Sequence, residues 1–167
     1  MLLESINHKS FAFAIVATLA AVSLHASAAN AEGPFASFAG NWRGDGKISL
    51  SDGSKESIRC RVAYSITGAG AVLTQELTCA SQSYKFNVSS KVQAQAGALT
   101  GSWTETSRNV TGAVSGKVTE GLILATVSGG VFSAGLSLAI RGNMQYVQIK
   151  PQGATDVVDV SVAFRKS

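Results

Sequence analysis

The chain has 167 residues, 46% of them hydrophobic, and a formal net charge of +4. Without the N-terminal segment, which reads as a signal, about 136 residues remain, enough for one domain with a single core and too few for two. No run reaches the roughly 20 uninterrupted apolar residues of a membrane-spanning helix, and a pI near 9.3 permits attraction to anionic surfaces without specifying one.

The first segment reads as a secretory signal. Lys9 gives a positive start, Phe11 to Leu24 is apolar, and small residues follow at the A-x-A spacing in Ala26-Ser27-Ala28 or Ala29-Asn30-Ala31. The expected organisation is a signal peptide over 1–31, cut near Ala28 or Ala31, and a single domain over 32–167. Both histidines, His8 and His25, lie upstream of the cut. The mature chain then has no imidazole for a metal, a haem or a Ser-His pair. The expected location is periplasmic or secreted, where anionic partners are lipid headgroups or envelope polymers rather than nucleic acid.

After Trp42–Leu50, which alternates as a strand, come two segments in step around Gly68-Ala69-Gly70: Ile58, Cys60, Val62, Tyr64 and Ile66, then Leu73, Gln75, Leu77 and Cys79. Folding them so that Ile66 meets Leu73 puts Val62 opposite Leu77 and Cys60 opposite Cys79. Cys60 and Cys79 are the only cysteines, so this register predicts a structural disulfide, formed where the compartment is oxidising. Tyr84, Phe86, Val88 and Val92 next face one way, with Lys85, Asn87, Ser89 and Lys91 facing the other. Further strands are predicted near Leu99–Thr106, Asn109–Val118, Gly121–Ser128, Val131–Ile140, Met144–Lys150 and Val157–Arg165, separated by turn residues such as Ala96-Gly97 and Gly142-Asn143.

About ten short strands with tight connections and no sustained helical period define an all-β chain. The expected fold is an antiparallel up-and-down barrel of about 8–10 strands, because closure removes exposed edges. An outer-membrane barrel competes, but it needs an apolar outer band and aromatic girdles, whereas aromatics are 7% and the second face is Lys, Asn, Ser and Thr. A sandwich of the same strands also stays open.

Glycine recurs on the apolar face, at Gly44, Gly46, Gly101, Gly112 and Gly116. Two readings follow. Missing side chains leave a cavity walled by Trp42, Tyr64, Phe86, Trp103 and Phe132, with Leu136 and Leu138; or glycine lets strands bend while large residues fill the space. Gln75, Glu105 and Thr126, the last following Leu122 and Leu124, share that face as polar members and need partners if buried. On the other face Arg59, Arg61, Lys85 and Lys91 form a possible basic patch. Chemistry is thin: Glu105 and Arg108, with Asp45, are the only carboxylate and cation grouping, no Ser or Thr has an activating base, and no metal or cofactor signature is present. The expectation is not an enzyme.

The opening Phe38-Ala39-Gly40-Asn41-Trp42-Arg43-Gly44-Asp45-Gly46 resembles the G-x-W start of calycin-type barrels, the lipocalins and especially the nitrobindin type. The resemblance implies a calycin-like barrel whose Trp42 sits at the closed end beneath a basic residue of the last strand, for which Arg165 is placed by position. The late histidine through which nitrobindins hold haem has no counterpart, so haem binding is not carried over. Lipocalin-like inhibitors of metalloproteases open similarly, with one disulfide. The functional expectation is therefore a monomeric exported protein that holds a small apolar or lipid-like ligand, and its alternative an envelope interaction or inhibitor module with a filled core.

Overall fold

The computed structural model describes residues 33–153 and 155–167; the expected signal segment and its cleavage lie outside them. Ten antiparallel strands follow in order: β1 Gly40–Leu50, β2 Lys55–Thr67, β3 Val72–Ala80, β4 Lys85–Gln95, β5 Ala98–Glu105, β6 Val110–Thr119, β7 Leu122–Gly129, β8 Phe132–Arg141, β9 Met144–Gln152 and β10 Val157–Lys166. Each pairs with its neighbours in sequence, and β1 pairs with β10 to close the barrel. Closure satisfies both edges of every strand, which an open ten-stranded meander cannot do. The up-and-down barrel expected from the alternation is the observed fold, and it is compatible with a calycin-like architecture.

Alternation sets the two faces. Trp42, Ile48, Ile58, Cys60, Val62, Tyr64, Leu73, Val92, Leu99, Val114, Val118, Ile123, Leu138, Val162 and Phe164 form one buried interior cluster, while the alternate positions are mostly charged or hydroxylated and exposed. This is the reverse of a barrel with an apolar lipid-facing band. The β2–β3 register is the predicted one, with Ile66 opposite Leu73, Val62 opposite Leu77 and Cys60 opposite Cys79. The two cysteines form the disulfide, their Cα atoms 4.1 Å apart.

One strand departs from expectation. On β7 the inward residues are Ile123, Ala125 and Val127, while Leu122, Leu124 and Thr126 point outward. The run is apolar at both parities, so alternation alone could not choose its face. Pairing decides it: Ile123 lies opposite Val118 on β6 and Leu138 on β8, both buried.

A short 3-10 turn, Ala36–Phe38, precedes β1 and closes one end of the barrel. Phe35 and Phe38 are fully buried there, packed edge-to-face on each other, and Phe38 packs edge-to-face on Tyr64. The segment is held by the β2–β3 turn, where the Gly33 and Phe35 amides donate to the carbonyls of Ala69 and Gly70. Gly70 has φ +85°, and a Cβ there would overlap the backbone of Gly33, so both conformation and close approach require glycine.

Candidate functional site

The five aromatic residues expected to wall a cavity fall at opposite ends of the barrel. Trp42 and Tyr64 lie at the closed end, buried under the 3-10 turn. Trp42 donates its indole Nε1–H to the Phe38 carbonyl at 2.8 Å. Its ring is covered by Lys166, whose Nζ lies 5.3 Å from the centroid. This corrects the placement of Arg165 over that ring. The β1–β10 register sets Lys166 opposite Trp42 and Arg165 opposite Arg43, so Arg165 projects from the outer face. The parity of Val162 and Phe164 carried this signal, since Lys166 continues their side.

Beside Trp42, the Tyr64 hydroxyl accepts a hydrogen bond from Gln145 Nε2 at 2.7 Å. Burial pushes the Tyr64 phenol well above its usual range, and the Gln145 bond offsets only part of that shift. Gln145 is fully buried, and its Oε1 has no hydrogen-bond partner among the described residues. Sequence reasoning named Gln75, Glu105 and Thr126 as inward polar groups and missed Gln145, although it shares the parity of Val147 and Ile149.

Phe86, Trp103 and Phe132 belong to the other end, where the longer connections lie. Phe86 is half-buried and stacked with Tyr84, their planes 4° apart and centroids at 6.1 Å. Trp103 is half-buried, meets Phe132 edge-on at 6.0 Å, and donates Nε1–H to the Ser128 carbonyl at 3.2 Å. Phe132 is 39% exposed, and Val131 beside it, at the tip of the β7–β8 turn, is fully exposed. Leu77, Val127, Leu136 and Ile149 also face inward and stay partly accessible. The barrel thus has a sealed end and an aromatic mouth.

The glycines separate the two readings of the apolar face locally. A Cβ on Gly112 or Gly129 would run into the Trp103 ring, and one on Gly46 would overlap the Ser161 carbonyl oxygen. At Gly44, Gly101 and Gly116 the obstacle is likewise the backbone of the adjoining strand. At these sites glycine serves close strand approach and the seating of Trp103 rather than empty space.

Glu105 is turned to the β5–β6 connection. One carboxylate oxygen accepts the Asn87 amide at 3.0 Å and the Ser107 hydroxyl at 2.9 Å; the other accepts the Arg108 amide at 2.7 Å and lies 3.5 Å from the Arg108 guanidinium. These donors, led by the Asn87 amide, pull its pKa down to about 2. Glu105 and Arg108 therefore hold this turn, while Asp45, the third member of the expected grouping, lies on β1 paired with Arg59 at 3.4 Å. Thr126 is on the outside, and Gln75 is half-buried inside, opposite Tyr64 and Ser90.

The basic positions are redistributed as well. Arg59 and Arg61 lie side by side on the outer face of β2, and Lys85 shares the row of Arg59 one strand beyond Ala80. Lys91 is opposite Thr74, which is opposite Ser65, so it lies four residues, about 13 Å, along the strand from Arg61. Arg43, absent from the expected patch, stands directly opposite Arg61.

Against known proteins, the chain matches no protein-family model, and no curated protein matches its sequence.

Proposed function

We propose that this is an exported binding protein that holds a small apolar or lipid-like molecule, without covalent chemistry, at the aromatic mouth of the barrel. The observation that carries the reading is the asymmetry between the ends. Eight strands already enclose an interior that side chains just fill, and the diameter grows with strand number. Ten strands leave more room. At the closed end Phe35 and Phe38 enter to occupy it, while at the mouth the inward-facing Phe86, Trp103 and Phe132 keep accessible surface. Small-molecule sites are lined mainly by apolar and aromatic side chains, and Phe86, Trp103 and Phe132 supply such a lining at the mouth. The disulfide agrees with export, since such bonds persist in oxidising compartments.

A second reading, an envelope interaction module with a filled core, draws support from the glycines whose inward space is already taken by neighbouring strands or by Trp103. Native mass spectrometry separates the two. After incubation with straight-chain fatty acids or a lysophospholipid, the first reading predicts a one-to-one adduct that Phe132→Ser together with Phe86→Ser removes. No adduct with any of them would leave the interaction module as the better account.

A further inference from the structure

The outer wall of β10, β1 and β2 carries an arrangement that neither the barrel nor its mouth requires. Arg165, Arg43 and Arg61 stand directly opposite one another on three adjacent strands, spanning two interstrand gaps, or about 10 Å. Like charges placed directly across strands destabilise a sheet, and here the same sign is placed opposite itself twice in succession. None of the three makes an ion pair or a side-chain hydrogen bond among the described residues. The carboxylates nearby do not relieve the row. Asp45 is paired with Arg59 at 3.4 Å, and Glu76 lies opposite Ala63, off the row, with no ion pair.

The surface beneath is concave. Arg43, Asp45, Arg59 and Arg61 line a hollow of about 510 Å³ with Thr78 and Ala80, floored by the backbone around Gly44 and Cys60; Arg165 stands outside that lining, directly across from Arg43. On the outer face, Ala80 opposite Arg59 adds little bulk to the hollow. A place where a sheet gives up stability to hold uncompensated charge around a depression is a candidate for ligand recognition rather than for fold.

The geometry points to a phosphate site: we propose that Arg43, Arg61 and Arg165 together bind the phosphoryl group of a phosphomonoester, either free in solution or carried on a lipid headgroup. Guanidinium is the fitting donor, because it stays charged at all working pH values and offers a planar fork that matches phosphate oxygens in pairs. Three guanidinium groups suit an anion with three terminal oxygens better than a carboxylate with two. Thr78 supplies a hydroxyl on the same wall. The site is independent of the mouth, so it stands or falls apart from the apolar-ligand reading.

The test uses the full chain with inorganic phosphate as the probe, following arginine side-chain Nε–H resonances by NMR at low salt. Saturable shifts confined to Arg43, Arg61 and Arg165 are expected, weakened about tenfold by Arg43→Lys with Arg61→Lys, which keeps the charge and removes the fork. The exposed positions make folding of this variant straightforward to verify by its melting temperature. Sedimentation with vesicles of phosphatidic acid in phosphatidylcholine then identifies the source. Co-sedimentation lost in the lysine variant supports a headgroup, and phosphate binding without co-sedimentation supports a free phosphomonoester. Affinity unchanged in the lysine variant, an equal response to acetate, or shifts spread over all surface cations would overturn the proposal, because each reports general charge attraction.

Discussion

Removing the Cys60–Cys79 bridge perturbs the fold at its most legible point. The bond closes a loop with a sequence separation of 19. For a loop of that length the chain-entropy relation gives about 11 cal/mol/K of lost disorder in the unfolded state, or about 3 kcal/mol at 25 °C. A barrel of this size unfolds with an entropy near 0.28 kcal/mol/K, so that loss corresponds to a melting temperature lower by about 10 °C. In the oxidised protein β2 and β3 are paired over nine residue pairs, from Arg59 with Ala80 to Thr67 with Val72. Differential scanning calorimetry of the oxidised chain, the reduced chain with its thiols verified by mass, and Cys60→Ala with Cys79→Ala reads the effect. The alanine pair should melt a little lower than the reduced protein, since both sulfurs are buried and their packing is also lost. A shift under about 3 °C in both would refute the entropic argument and imply that the hairpin persists in the unfolded ensemble.

Two glycines give a matched pair of outcomes. Gly46→Ala, whose Cβ would overlap the Ser161 carbonyl, should destabilise by about 1–3 kcal/mol in urea, while Gly135→Ala, with nothing within 4 Å of the added carbon, should be nearly neutral; equal effects would remove the close-approach explanation. Glu105 supplies the pH dependence. Its folded pKa lies below the ordinary carboxylate value, so its contribution is fully present above about pH 4.5 and is lost as pH falls through about 2. Melting curves from pH 5 to pH 2 should therefore decline more steeply in the native chain than in Glu105→Gln, and parallel curves would show that the β5–β6 turn does not depend on the carboxylate.

Much of this barrel was legible because alternation has a hard consequence: a slip of one residue turns a strand inside out. Where only one parity is apolar, as in Ile58, Cys60, Val62 and Tyr64, strand face, hairpin register and disulfide all followed from the residues. Where both parities are apolar, as in Leu122-Ile123-Leu124, the choice belonged to Val118 and Leu138 on neighbouring strands, and single-strand reading chose the wrong face. The 3-10 turn was out of reach for another reason. Phe35 precedes and Phe38 ends a three-residue element with no period of its own, and they matter only because the barrel end they plug would otherwise be unfilled.

The candidate site was legible in part for the same reasons. Trp42, Tyr64, Phe86, Trp103 and Phe132 share the inner parity, as expected, but alternation carries no information on which end of the barrel a residue occupies. Position along strands of alternating direction separates Trp42, near the start of β1, and Tyr64, near the end of β2, from Phe86 and Phe132 at the starts of β4 and β8 and Trp103 near the end of β5. The arginine row was hidden similarly. Arg43, Arg61 and Arg165 are far apart in sequence, and the closure of β1 on β10 makes them neighbours.

The most direct test of the mouth as a binding site uses the two tryptophans, which the fold has placed at opposite ends. Titrating the full chain, Trp42→Phe and Trp103→Phe with the apolar probe 1-N-phenylnaphthylamine and following tryptophan emission reads each end separately. Saturable quenching or energy transfer that persists in Trp42→Phe and disappears in Trp103→Phe is the predicted result. Emission that stays unchanged in all three proteins, or a response that survives in Trp103→Phe alone, would contradict it.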